Sequence, residues 1–228
     1  MRINKLLSNY GICSRREANR IIEDGRIIVN GELCIPGQWV EEDDEIFLDN
    51  MPIKKRDKVY ILLNKPVGVT CTAAEAVENN IIDYINYTEY IFPVGRLDKE
   101  SQGLILLTND GELASKILES DNYHEKEYIV TLNKTYDELF LEGMASGVQI
   151  GDVKTRPCVL KRVDDFNYSI ILTQGLNKQI RKMSKAFGYD VVKLKRIRII
   201  NLKIDGLKYG KWRYLSFSEI NEIGSLLN

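Results

Sequence analysis

The sequence predicts an α+β fold: a small unit of helices and a hairpin ahead of a larger domain on a mainly antiparallel mixed sheet. Three observations carry this expectation. Two short helical stripes precede an Asn-Gly dipeptide set between apolar triplets. Apolar runs of strand length follow, notably Val59 to Leu63 and Leu104 to Thr108. Helical patterns are scattered among the later strand runs without the regular alternation of a parallel α/β sheet.

In chain order, Ile3, Leu6 and Leu7 form the first stripe, closed by Tyr10-Gly11. Ser14-Arg15-Arg16-Glu17 has the spacing of a capping box, in which Ser14 accepts from the Glu17 N–H and Glu17 reaches back to that of Ser14. Ala18, Ile21 and Ile22 supply the inner face of this second helix, and Gly25 ends it. Ile27 to Val29 and Leu33 to Ile35 flank Asn30-Gly31 as a hairpin, and Ile46 to Leu48 adds a third strand. Residues 1–50 are read as one domain. Met51 to Asp57 is polar, holds a proline and lacks periodicity, so 51–57 reads as a linker and 58–228 as the larger domain.

Within that domain, strands are expected at Val59 to Leu63, Leu104 to Thr108, Glu127 to Leu132, Tyr168 to Thr173 and Val191 to Leu194. Helices are expected after Asn109-Asp110-Gly111 through Leu113, Ile117 and Leu118, from Tyr136 to Met144, and from Gln179 to Phe187 before Gly188.

Composition narrows the function classes. No run approaches the roughly 18 apolar residues of a membrane span, and Met1 to Lys5 lacks a secretory apolar core. A cytoplasmic protein with no membrane partner is expected. Cys13, Cys34, Cys71 and Cys158 form no C-x-x-C pair, and His124 is the single histidine, so neither a metal site nor a disulfide framework is expected. His124 reads as structural, and Tyr123 and Tyr168 as packing residues. Net charge is −1, but it is unevenly placed. Gly175 to Arg213 holds twelve Lys and Arg against Asp190 and Asp205, whereas Glu41 to Asp49 holds six acids. A basic stretch of that density is the footprint of a polyanion binder.

Four segments carry chemistry. Val94 to Gly103 (V-G-R-L-D-K-E-S-Q-G) places Asp98 in a glycine-flanked loop, where an aspartate is ordinarily a turn former. Glu125 to Tyr128 opens a strand with a tyrosine. Gln174 to Met183 turns into a very basic helix, and Val191 to Ile199 alternates apolar residues with cations. Together, G-R-L-D-K-E-S-Q-G-L-I-L-L-T-N-D-G, K-E-Y and Q-G-L-N-K-Q-I-R-K-M resemble the signature motifs of the RsuA/RluB/RluE/RluF family of pseudouridine synthases. N-K-P-V-G-V from Asn64 to Val69 fits the same family. R-I-N-K-L-L, C-S-R-R-E-A and G-R-I-I-V-N-G resemble the S4 RNA-binding domain. The wording D-N-Y-H-E-K-E-Y leans toward the RluF-like branch, whose members act on large-subunit (23S) ribosomal RNA and, for RluF itself, also on a transfer RNA.

The resemblance implies a cofactor-free isomerase that detaches a uridine from its sugar at N1 and rejoins it through C5. Carried over by residue, Asp98 is the catalytic aspartate, Arg96 its motif neighbour, Tyr128 the surface for the target base, Arg181 the partner of the aspartate and Leu194 a pocket residue. Phosphate contacts are expected from Arg2, Lys5, Ser14, Arg15 and Arg16 in the S4-like part and from Lys178, Lys182 and Lys185 in the basic helix. RNA is the expected partner, ribosomal first and transfer RNA as the alternative, with no DNA partner and nothing that calls for more than a monomer. The chain stops at Asn228, where some RluF-like proteins continue into a long basic tail, a departure that bears on RNA affinity and substrate choice and not on the chemistry. Two rival readings are a non-catalytic RNA-binding or ribosome-assembly factor and, more weakly, an RNA hydrolase pairing Asp98 with Glu100.

Overall fold

The computed structural model describes residues 1–74, 76–119 and 123–227. Helices α1 (Ile3–Asn9) and α2 (Arg15–Glu23) pack on a four-stranded antiparallel sheet of β1 (Ile27–Val29), β2 (Glu32–Leu33), β3 (Ile46–Leu48) and β4 (Met51–Pro52), in the order β2-β1-β3-β4. Ile3, Leu6, Leu7, Ala18, Ile21, Ile22, Ile27 and Val29 form its core, as their spacing requires. Asn30 and Gly31 both have positive φ, the conformation of a two-residue hairpin turn. Asp49 and Asn50 repeat the device with φ of 51° and 63°. That second turn returns Met51-Pro52 against β3, so the first two residues of the stretch read as linker are an edge strand, where proline is tolerated. The capping box at Ser14 is half formed. Ser14 Oγ accepts from Glu17 N at 3.1 Å, but the Glu17 carboxylate turns to Arg20 instead. A complete box closes at the other end of the chain, between Ser216 and Glu219.

The larger part contains β5 (Tyr60–Lys65), α3 (Ile81–Ile85), β6 (Phe92–Val94), β7 (Gln102–Thr108), α4 (Gly111–Leu118), β8 (Lys126–Leu132) and α5 (Glu138–Ala145). It continues through β9 (Gln149–Ile150), β10 (Val153–Lys154), β11 (Val159–Arg162), β12 (Asn167–Leu172), α6 (Gln179–Ala186), β13 (Val191–Ile199), β14 (Leu202–Lys203), β15 (Trp212–Tyr214) and α7 (Phe217–Leu226). The main sheet runs β11-β12-β8-β13-β7-β5-β15, with β6 beside β7 and β14 beside β13. Among the pairs described, only β13 with β7 is parallel, so the fold is α+β on a mainly antiparallel mixed sheet. β7 is buried along its whole length and β5 from Ile61 onward, because helices cover both faces of the sheet there; this explains their unbroken apolar runs. One face carries Ile61, Leu63, Ile105, Tyr128, Val130, Ile170, Ile180 and Leu194. The other carries Leu62, Leu104, Leu106, Ala114, Ile117 and Ile223.

Asn109-Asp110 joins the two parts. Asn109 Nδ2 donates to Asp57 O at 2.8 Å and its Oδ1 accepts from Val59 N at 2.9 Å. Asp110 caps α4 and accepts from Lys58 Nζ and Tyr60 Oη. Gly11 packs so close that a Cβ there would lie 2.9 Å from Asn109 Nδ2. No described helix is long and apolar enough to cross a membrane.

Candidate active site

A cavity of about 610 Å³ opens on the Tyr128 face of the main sheet, within the size range of small-ligand sites. Its floor includes Tyr128, Leu172, Ile180 and Leu194, and Arg96, Asp98, Lys99 and Lys178 also line it. Asp98 is half-buried and makes no ion pair among the described residues, while Arg96 is exposed beside it. Four contacts brace the loop that carries them. Gly68 N donates to Lys99 O at 2.8 Å, Ser101 N to Asp98 O at 3.0 Å, and Leu97 N to Cys71 Sγ at 3.4 Å. The fourth comes from Arg181, whose Nη2 donates to Ser101 Oγ at 3.3 Å.

Arg181 was expected to pair with Asp98, and the structure forms no such ion pair. Its guanidinium lies toward the next strand, where Nη1 donates to Val191 O at 2.8 Å, and its hydrogen bond to the aspartate loop goes to Ser101. Leu194 and Tyr128 are both buried and line the cavity. Lys178 lies outside the basic helix, as its left-handed N-cap, 3.7 Å from Glu100. Lys185 pairs with Asp190 at 2.8 Å, and Lys182 is exposed. Arg2, Lys5, Arg15 and Arg16 are exposed on the N-terminal part, whereas Ser14 is occupied as the cap of α2. Tyr168 is packed as expected, with its hydroxyl 3.0 Å from Ser184 Oγ. Tyr123 is instead exposed beneath the Arg156 guanidinium, and His124 lines the cavity with Nε2 3.1 Å from Lys116 O.

Three cations near the cavity escaped the sequence reading. Lys65 is fully buried and donates from Nζ to Pro66 O and Val69 O, both at 2.8 Å. Burial pulls its pKa down, opposed by Cys71 and by the carboxylates of Asp98 and Glu100. Lys126 lines the cavity, and burial together with neighbouring Arg196 lowers its pKa to about 8. Arg196 is 2% exposed and donates from Nε to Leu104 O at 2.7 Å. The only signal in the sequence was their place in segments already quoted, N-K-P, K-E-Y and the stretch from Val191 to Ile199; nothing local marks a cation as buried.

A nine-stranded sheet with this cavity, behind a helical and hairpin module, is the architecture of an S4-linked pseudouridine synthase. The family model for RNA pseudouridylate synthases matches residues 59–186, and that for the S4 domain matches residues 1–46. The chain belongs to the RNA pseudouridylate synthase family. It is 45% identical over 230 residues to the dual-specificity RNA pseudouridine synthase RluF of Escherichia coli K12, covering 100% of this chain and 79% of that protein. It is 31% identical to ribosomal large subunit pseudouridine synthase B of Bacillus subtilis, over 99% of this chain and 96% of that one. A crystal structure of a pseudouridylate synthase superimposes with a TM-score of 0.72 at 28% identity, covering 98% of this chain and 99% of the other.

Proposed function

We propose that this pseudouridine synthase converts a specific uridine of structured RNA, large-subunit ribosomal RNA foremost, using Asp98 as nucleophile on a base flipped against Tyr128. The observation that carries this reading is an unpaired carboxylate on a braced loop above a cavity with a tyrosine floor. The N1–C1′ bond breaks, the ring turns, C5 bonds to C1′, and the C5 proton leaves while N1 takes one up. No electrons are gained or lost. An Asp98 adduct would split this into two easier steps. A base inside a helix cannot reach such a cavity, so it must first unstack, at a cost of a few kcal/mol that phosphate contacts can offset.

In this reading Arg96 holds the backbone beside the flipped nucleotide, and Arg181 acts on Asp98 indirectly by holding Ser101. Residues 1–50, extended by the Met51-Pro52 strand, dock RNA for residues 58–228 in a monomer. Arg2, Lys5, Arg15, Arg16, Lys178, Lys182 and Lys185 meet phosphates, with Ser14 setting the start of α2. The dual specificity in the name of the Escherichia coli relative is the reason to test transfer RNA beside ribosomal RNA.

The test is tritium release from C5-labelled uridine in ribosomal and transfer RNA transcripts, comparing wild type with Asp98→Asn. Release by wild type alone is expected. Release by neither protein on either RNA would overturn the substrate assignment, and release by both would remove Asp98 from the nucleophile's place.

A further inference from the structure

Strand register sets a row of four residues, of which Arg196 and Tyr128 line the cavity. Lys65 on β5 faces Gly103 on β7, Gly103 faces Arg196 on β13, and Arg196 faces Tyr128 on β8. Gly103 is required in this row. Its φ is +109°, and a Cβ there would stand 2.2 Å from Arg196 O and 2.6 Å from Arg196 N. The close approach seats Arg196 beside β7, where its Nε meets Leu104 O.

Arg198 stands two residues further along the same strand, and an unbroken strand would turn both arginines to one face. A β-bulge between them prevents this: Arg196 pairs with Tyr128, but Arg198 pairs with Glu127. Arg198 thereby reaches the far face, with Nη2 2.7 Å from Glu125 and Nε 3.0 Å from Glu127. Arg196 is left on the cavity face with no ion pair among the described residues. Its Nη2 is buried and has no hydrogen-bond partner among the described residues, although the residue lines the cavity with Asp98 and Tyr128. Its guanidinium carbon is 6.0 Å from the Tyr128 ring centroid. A charged donor buried and left unsatisfied is costly, so its persistence at a cavity points to an acceptor that arrives with the substrate.

We propose that Arg196 donates from Nη2 to a carbonyl oxygen of the flipped uracil and stabilises the ring as its bond to the sugar breaks. The proposal rests on the isomerase reading. When the N1–C1′ bond breaks, its electron pair stays on the ring and spreads onto O2 and O4. A fixed guanidinium at one of those oxygens therefore binds the departing ring more strongly than the intact nucleoside. Rebonding through C5 returns the pair to a covalent bond and the oxygen to an ordinary carbonyl.

The test is single-turnover isomerisation by wild type, Arg196→Met and Arg196→Lys on RNA whose target uridine is unmodified, 2-thio or 4-thio. Sulfur is the weaker acceptor, so wild type is expected to slow tenfold or more on one thio substrate, which identifies the oxygen. The methionine variant keeps the stem but loses the donor. It is expected to bind RNA within threefold of wild type, to react about 10²- to 10³-fold more slowly, and to treat thio and oxygen substrates alike. Lysine is expected to restore about tenfold of the rate lost.

A methionine variant within threefold of the wild-type rate would overturn the assignment. So would one that still discriminates against sulfur, even if its pH profile moves, because that outcome makes Arg196 a counterion for Asp98. If the methionine variant does not fold, the lysine variant decides: wild-type rate with unchanged thio discrimination overturns the proposal. Failure of wild type on every unmodified RNA would instead refute the isomerase reading itself.

Discussion

On α2 the side chains of Arg15 and Arg16 are exposed to solvent, whereas Arg196, which lines the cavity, and Lys65, in the same row two strands away, are almost wholly buried. Both regions are basic, yet the physics differs. Exposed charges act through a screened field that reaches about 8 Å at physiological salt, so they attract RNA without demanding one geometry. Buried charges are costly to keep and are scarcely screened, so each is held by named acceptors or waits for one. Affinity should therefore belong to the first region and chemistry to the second, and five substitutions can break or sharpen that division.

The largest effect is expected at Asp98. Asp98→Asn should lower the single-turnover rate by roughly 10⁴-fold or more, with RNA affinity by filter binding within a few-fold. A parallel loss of affinity would erase the division. Next is Gly103→Ala, which forces a methyl into the Arg196 backbone at positive φ and should destabilise the fold by roughly 2–4 kcal/mol. Thermal denaturation should register this as a drop of roughly 5–15 °C. An unchanged melting temperature would mean that β7 and β13 can separate at no cost.

Lys126 gives a third, pH-dependent contrast. With its pKa near 8, the ammonium is lost as pH rises through that value, and kcat/KM should fall on an alkaline limb there. Stability should move the other way. From about 8 to the ordinary value of 10.5 the unfolded chain binds more protons than the native one, so stability rises with pH across that window. Lys126→Arg should carry the alkaline limb beyond pH 10; a limb that stays near 8 would assign it to another group. The smallest effect is expected on α2. Arg15→Ala or Arg16→Ala should leave the rate at saturating RNA unchanged and flatten the slope of log affinity against log salt by roughly 0.7–0.9. Loss of the saturated rate would show that these arginines act beyond attraction.

Much of the architecture was legible before any coordinates. The Asn30-Gly31 hairpin, the buried runs of β5 and β7, and the extents of α2, α5 and α6 follow from periodicity, caps and turn residues, all properties of neighbouring positions. Where the reading erred, a distant group competed. Glu17 left its capping role for Arg20. Met51-Pro52 joined β3 because Asp49-Asn50 could adopt the turn that brings them back. Arg181 turned toward Val191 and Ser101 because those groups, from two other elements, lie within its reach.

The sequence by itself determined the family motifs, the acidic loop and basic stretch, the α+β class, and the placing of Asp98 in a short glycine-flanked loop. These are local patterns, and local physics is enough to read them. Only the tertiary structure decided which cations are buried and which are paired. Arg196 and Arg198 are the same residue type two positions apart, and their spacing puts them on one face. The bulge that separates them, and the glycine that lets β7 approach β13, exist only when three strands are side by side. Burial and pairing are properties of that assembly, because both depend on which atoms from remote segments displace water from the same place.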